Sequence, residues 1–328
     1  MKILYIHSSN NNQFYNDYMS DLLLHGLREL YGKDIIDYPG SWYLYNDEIL
    51  KRKYDKNKLW GKGFTIKDIL SEFDSIDREN IKQKIKNKYF DLVIYSSIRR
   101  TDQFLEDVIK YNNKFIFIDG EDDNYIETKY SNLGLYFKRE LLTKNSKILP
   151  ISFAIPKSKI LNDIDKYPKN LLAPLIPGRL NTYIYDDEYA YYDMYKKSVF
   201  ALTYKKAGWD CLRHYEILMN GCIPLFLDIK ESPSNTITSL PKEKLIEILD
   251  NFSEVLEFYN PFKIFKKKHL TFQRVLSSFS FRSEKDKLKS FLEKNEIVFE
   301  YKKNLLKFTK KNLSTEVLAK YIIKNFKE

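Results

Sequence analysis

Five short runs in this chain are apolar almost without a break: KILYIH (2–7), FDLVIYSS (90–97), KFIFIDG (114–120), VFALTY (199–204) and CIPLFLD (222–228). A strand with one wet face alternates apolar and polar residues, whereas a strand covered on both faces does not. Between these runs lie segments of helical period, such as 14–30, where Tyr18, Leu22, Leu23 and Leu27 fall on one side. Strands and helices in alternation predict an α/β chain with parallel sheets.

A further strand is expected at 34–38, and helices at 64–76 (FTIKDILSEFDSI), 79–88, 101–112 and 186–198. The stretch 40–68 is rich in Trp, Tyr, Lys and Gly without a clean period, and is expected to be an excursion at the strand ends. A second α/β series starts near 148, where ILPISFAIP and NLLAPLIPG are punctuated by proline. After 228 the sequence is mostly helical, with helices expected at 242–251, 253–259 and 285–295. With 328 residues the chain is long enough for two domains. We expect an N-terminal Rossmann-like domain over 1–150 and a C-terminal one over 151–312. A final segment, 313–328, carries an apolar stripe at Val317, Leu318, Tyr321 and Ile322, and is expected to cross back to the first domain. The expected fold class is therefore α/β, with two Rossmann-like domains whose parallel sheets face a central cleft. Ligands of such sheets bind at the carboxyl ends of the strands.

Hydrophobic residues make up 43% of the chain, which excludes global disorder. No stretch approaches the ~18 uninterrupted apolar residues of a membrane span. The first apolar run is shorter than the ~7–15 residues of a signal-peptide core. Cys211 and Cys222, separated by an expected helix, stand about 16 Å apart at ~1.5 Å per residue, beyond disulfide reach. Reduced thiols and a cytoplasmic protein are expected. The net charge of +10 is concentrated at the C-terminal end, where 249–328 holds 18 Lys+Arg against 10 Asp+Glu. Such a surface suits an anionic membrane face, contacted peripherally from the inner side, or a polyanionic acceptor or nucleic acid; it also suits a plainly solvated lysine-rich face. A Walker A loop, a GxGxxG motif and a CxxC pair are all absent, so P-loop, dinucleotide-dehydrogenase and zinc chemistry fall away.

The densest chemistry lies in KKAGWDCLRHYEILMNGCIPLF (205–226). Lys205, Lys206 and Gly208 follow a strand, at its carboxyl end. Asp210 is placed to cap the next helix. Arg213, Glu216 and Asn220 share a polar stripe at i, i+3 and i+7, opposite Leu212, Tyr215, Leu218 and Met219. Gly221 stands where a left-handed helix stop is wanted, and Pro224 suits only the start or edge of a strand. A helix N-terminus beside lysines is an anion site, and a carboxylate one turn deeper can accept from the vicinal hydroxyls of a ribose.

This segment, with its pattern R-x-x-E followed by G-C-I-P-L-F, resembles the donor-binding region of glycosyltransferases of the GT-B architecture, above all exostosin-like and bacterial glycosyltransferase family 1-type sequences. The resemblance implies that Glu216 holds the ribose of a nucleotide-sugar donor such as a UDP-sugar. It implies that Lys205, Lys206 and Arg213 face the phosphates, with Gly208 and Asp210 in the same donor loop. Many retaining members carry a second glutamate eight positions before the ribose-binding one. Here that position is Gly208, so retention and inversion both stay open.

The acceptor and any catalytic base are expected in the first domain. KFIFIDG opens into acids at a strand end, making Asp119, Glu121 and Asp122 the candidate catalytic residues, with Asp123 beside them. Ser8, Asn10, Ser97 and Arg99 also follow strands and are candidate cleft-lining residues. No obligatory metal or cofactor is expected, because this architecture neutralises the leaving diphosphate with basic groups and helix dipoles. The expected activity is transfer of a sugar from a nucleoside diphosphate sugar to a hydroxyl in surface glycan, polysaccharide or glycoconjugate synthesis. Alternatives are glycosylation of DNA bases, since a basic chain holds phosphate backbones, and a non-catalytic nucleotide-sugar-binding partner protein.

Overall fold

The structure is a computed structural model that describes residues 1–8, 16–53, 55, 58–71, 73–112, 114–145, 147–164, 167–253, 255 and 284–327. The first half runs β1 (Ile3–Ile6), α1 (Tyr18–Tyr31), β2 (Ile35–Tyr38), α2 (Glu48–Lys53), α3 (Ile81–Lys86), β3 (Leu92–Tyr95), α4 (Leu105–Tyr111), β4 (Phe115–Asp119), α5 (Thr128–Ser131), β5 (Leu135–Lys138) and β6 (Ile148–Pro150). The second runs β7 (Asn170–Leu172), α6 (Glu188–Lys196), β8 (Ser198–Thr203), α7 (Leu212–Met219), β9 (Ile223–Phe226), α8 (Lys242–Asn251), α9 (Glu284–Lys294), α10 (Ile297–Asn312) and α11 (Thr315–Lys327). This is an α/β protein of Rossmann-like character. Most of the helix expected over 253–259, and Asn10, lie outside the described residues.

Six strands form one parallel sheet in the order β2-β1-β3-β4-β5-β6, and three form a second in the order β7-β8-β9. β1 is central: Ile3 pairs with Ile35 on one side and Leu92 on the other. Its unbroken apolar run is explained by cover on both faces. Ile3 and Tyr5 enter one core, Leu4 and Ile6 the other. The first core continues without a gap into the second sheet, through Phe200, Leu202, Ile223 and Leu225. Pro224 lies in β9, an edge strand, where its missing N–H leaves no ladder bond unmade.

Two expectations are corrected. The segment 64–76 is no α-helix: it consists of turns, a bridge from Tyr45 to Leu70, and a 3₁₀ turn at Phe73–Ser75. Its backbone is committed elsewhere, with Thr65 at φ +75° and Asp68 at +59°. Ile148–Pro150 does not open the second series; it pairs with Tyr136–Lys138 and ends the first sheet.

The chain finishes on the first sheet's side. α11 packs along α1, and Tyr321 donates to the Pro150 carbonyl at 2.8 Å. His25 Nδ1 and Thr315 Oγ1 are 2.8 Å apart. The close approach requires Gly26, where an added Cβ would sit 2.0 Å from the Thr315 carbonyl oxygen. Among the described residues, no helix is long and apolar enough to cross a membrane. Cys211 and Cys222 are free thiols.

Candidate functional site

In the first sheet the strand order reverses between β1 and β3. A crevice outside the strand ends at such a point is where open α/β sheets bind ligands. Ser8 and Ser97 lie at these two ends. Ser97 Oγ donates to Asp17 Oδ2 at 2.8 Å, and the other Asp17 oxygen caps α1 by accepting from the Met19 and Ser20 amides. Arg99 and Arg100 follow at once and meet the acids of the next strand end. Arg99 pairs with Asp123 at 2.6 Å, and Arg100 with Glu121. Asp119 is buried, accepting from Tyr136 at 2.6 Å and pairing with the buried Lys138 at 3.0 Å. Asp122 pairs with Arg139. Each candidate base therefore faces a cation. Burial alone would lift the Glu121 carboxyl, but the hydrogen bond and charge of Arg100 more than offset it and hold it low. The hydrogen bond from Arg99 holds Asp123 low as well.

The loop between β8 and α7 is fixed from the first sheet. Glu140, just past β5, accepts from the Trp209 and Asp210 amides, both at 2.9 Å. A Cβ at Gly208 would lie 2.5 Å from Glu140 Oε1. Gly208 is thus a glycine because another residue's carboxylate fills its side-chain space. Arg139 donates to the Asp210 carbonyl, linking this loop to Asp122. Asp210 does not cap α7: its carboxylate accepts from the Phe153 amide and the Tyr215 hydroxyl, each at 2.8 Å, and burial pushes its pKa to about 6. Lys205 and Lys206 are exposed, and the Lys205 ammonium lies 5.1 Å from the centre of the Trp209 ring. Gly221 ends α7 at φ +65°, the expected left-handed stop.

α7 is buried all round, so Arg213, Glu216 and Asn220 do not form the exposed stripe their spacing suggests. Glu216 has no ion-pair partner among the described residues. Its Oε1 accepts from Thr65 Oγ1 and its Oε2 from the Tyr191 hydroxyl, both at 2.6 Å. Burial pushes its carboxyl up, against these two hydrogen bonds. Arg213 is only 9% exposed. Its Nη2 donates to the Tyr183 hydroxyl at 3.2 Å, while Nη1 is buried with no partner. Tyr183 in turn accepts from the amide of Gly178, in the loop after β7. The Arg213 charge acts on the Glu216 carboxylate without a direct ion pair to it, and an orphaned buried donor points to a group that is to arrive. α7 thus offers, one turn apart, a carboxylate dressed only by hydroxyls and a cation short of an acceptor.

Profiles of known protein families give no match to this sequence, and no curated protein matches it either. The chemistry of the site rests on its own geometry.

Some of that geometry had no signal in the sequence. Thr65, Tyr191, Arg139 and Glu140 complete the site from positions far along the chain, as does Glu188, which accepts from the Thr65 amide. His214, on α7 itself, is a neutral core residue, with Nδ1 2.7 Å from Thr203 Oγ1 and Nε2 3.0 Å from the Trp209 carbonyl, its pKa lowered by burial to about 3.

Proposed function

We propose that this protein is a GT-B-type glycosyltransferase that uses a nucleoside diphosphate sugar, with the donor held at α7. The observation that carries this reading is the pairing on one helix of Glu216, whose partners are all hydroxyls, with Arg213, whose buried Nη1 lacks an acceptor. A carboxylate that accepts two hydroxyls matches a ribose diol, and an unpaired guanidinium matches a phosphate. Lys205 and Lys206 stand at the mouth of the same loop. In transfer, an acceptor hydroxyl attacks the anomeric carbon, the bond to the diphosphate oxygen breaks, and the diphosphate leaves with the electron pair. The hydroxyl proton goes to a base, for which the turn 119–123 supplies the candidates. Asp122 is the one tied through Arg139 to the donor loop. Basic protein groups stabilise the leaving diphosphate, so activity survives EDTA.

The cations that hold the Glu121 and Asp123 carboxyls low favour a second reading, a nucleotide-sugar-binding protein without turnover, because a carboxylate held low by a cation is a weak base. Incubation with a set of nucleotide sugars, with and without EDTA, decides between them. Slow release of free sugar that survives EDTA supports the transferase. Saturable binding with no release over days supports the non-catalytic reading. Activity lost in EDTA and restored by Mg²⁺ would move the acids at 119–123 into a metal site.

A further inference from the structure

Thr65 occupies backbone space that a β-branched residue seldom enters, at φ +75°. It lies in a run that includes Gly61, Lys62, Gly63 and Asp68, all at φ between 56° and 62°. Strain of this kind persists only where surrounding contacts over-determine it. Those contacts are with α6, α7 and the turn before α6. Lys62 Nζ donates to the Tyr185 carbonyl at 2.9 Å and pairs with Asp186. The Thr65 amide donates to Glu188, whose carboxylate also takes Lys159 at 2.6 Å. Phe64 stacks on Tyr191 with ring centres 5.4 Å apart. The loop ends with the Thr65 hydroxyl driven onto Glu216 Oε1 and 2.7 Å from the Tyr192 hydroxyl.

Each Glu216 oxygen accepts one protein hydroxyl, and the residue is only 6% exposed, so a ligand diol reaches the carboxylate only when a covering hydroxyl moves aside. Tyr191 is anchored in the core on α6. Thr65 sits on a strained loop that polar contacts hold in place. We propose that the Thr65 hydroxyl is a built-in surrogate for a ligand hydroxyl, and that loop 61–68 is a plug which withdraws when a nucleotide's ribose takes Glu216. This rests on the assignment of Glu216 as the ribose acceptor. The seated plug lowers the apparent affinity of the resting protein in proportion to the small fraction of molecules with the plug out. Only a ligand that carries the diol can replace the Thr65 hydroxyl.

Calorimetry on the full chain with UDP, GDP, ADP and CDP, and with their 2′,3′-dideoxy forms, tests this. Thr65→Val removes the hydroxyl and keeps the side-chain shape. Lys62→Ala loosens the tether to Asp186 without touching Glu216. Thr65→Ser keeps the hydroxyl. The expected result is that Thr65→Val and Lys62→Ala bind the preferred ribonucleotide roughly five-fold tighter than wild type or more, with no gain for the dideoxy form, while Thr65→Ser matches wild type. Ribonucleotide binding that depends on Glu216 but is no tighter in Thr65→Val and Lys62→Ala overturns the plug and leaves the site standing. Binding unaffected by Glu216→Gln, or no binding to any variant, overturns the ribose assignment and the plug with it.

Discussion

Protonating Glu216 and discharging Arg213 should have opposite consequences for the empty protein and its ligand. Burial raises the Glu216 carboxyl above its usual range. An acid whose folded pKa exceeds its unfolded value adds to stability at low pH, and that contribution is lost as the pH rises through the folded pKa. The ligand needs the anion, so nucleotide affinity should run the other way, strongest above the raised pKa and weaker as the pH falls through it. Affinity that strengthens on acidification would rule out an ionised acceptor. Arg213→Met fills much of the same space and removes the buried guanidinium whose Nη1 has no acceptor. The variant should melt no lower than wild type, yet lose at least ten-fold in diphosphate affinity, while the free nucleoside loses about three-fold or less. A large drop in melting temperature would make Arg213 a structural residue. That these two residues share one helix after a strand was legible in the sequence, because three residues apart is a local pattern; their burial was not. Thr65 was not: its contact with Glu216 spans 151 positions, and nothing in its neighbours announces φ +75°.

The elements show the same division. Strands covered on both faces announce themselves as apolar runs, and β1, β3, β4, β8 and β9 were plain. β5 was not, because LYFK ends in Lys138, a lysine buried only by virtue of Asp119 on the neighbouring strand. The false helix at 64–76 arose because Ile66, Ile69, Leu70 and Phe73 mimic a helical period while serving a folded-back loop. Local pattern cannot see the tertiary partners that override it. Two glycines report how tightly the elements are set. Gly208→Ala should cost about 1–3 kcal/mol in denaturant unfolding, since Glu140 is pinned by two amides and cannot swing away. Double substitution with Glu140→Ala should recover part of the steric loss, and full additivity would contradict the contact. Gly26→Ala should cost as much or more, because backbone rather than a flexible side chain lies in the way.

At the scale of the molecule, one apolar core joins both sheets and the last helix. α11 buries Leu318, Ala319, Ile322 and Ile323. Each fully buried large aliphatic side chain contributes about 1.5–3 kcal/mol. Removing 314–328 should therefore lower stability by several kcal/mol. The proposed donor site, built from α6, α7 and loop 61–68, should keep nucleotide affinity within a few-fold provided the truncated chain is assayed well below its melting temperature. Loss of affinity by more than ten-fold in a chain that still unfolds cooperatively would show that α11 acts on the site and not only on the core.

The most direct measurement is a calorimetric titration of wild type and Glu216→Gln with UDP, GDP, ADP and CDP. The substitution keeps the shape of the side chain and removes the charge to which two hydroxyls donate. We predict that one nucleoside diphosphate binds wild type, and that Glu216→Gln weakens it by about 1–3 kcal/mol. Equal affinity in the two proteins, or no binding to wild type by any of the four, would contradict the assignment of α7 as a nucleotide site.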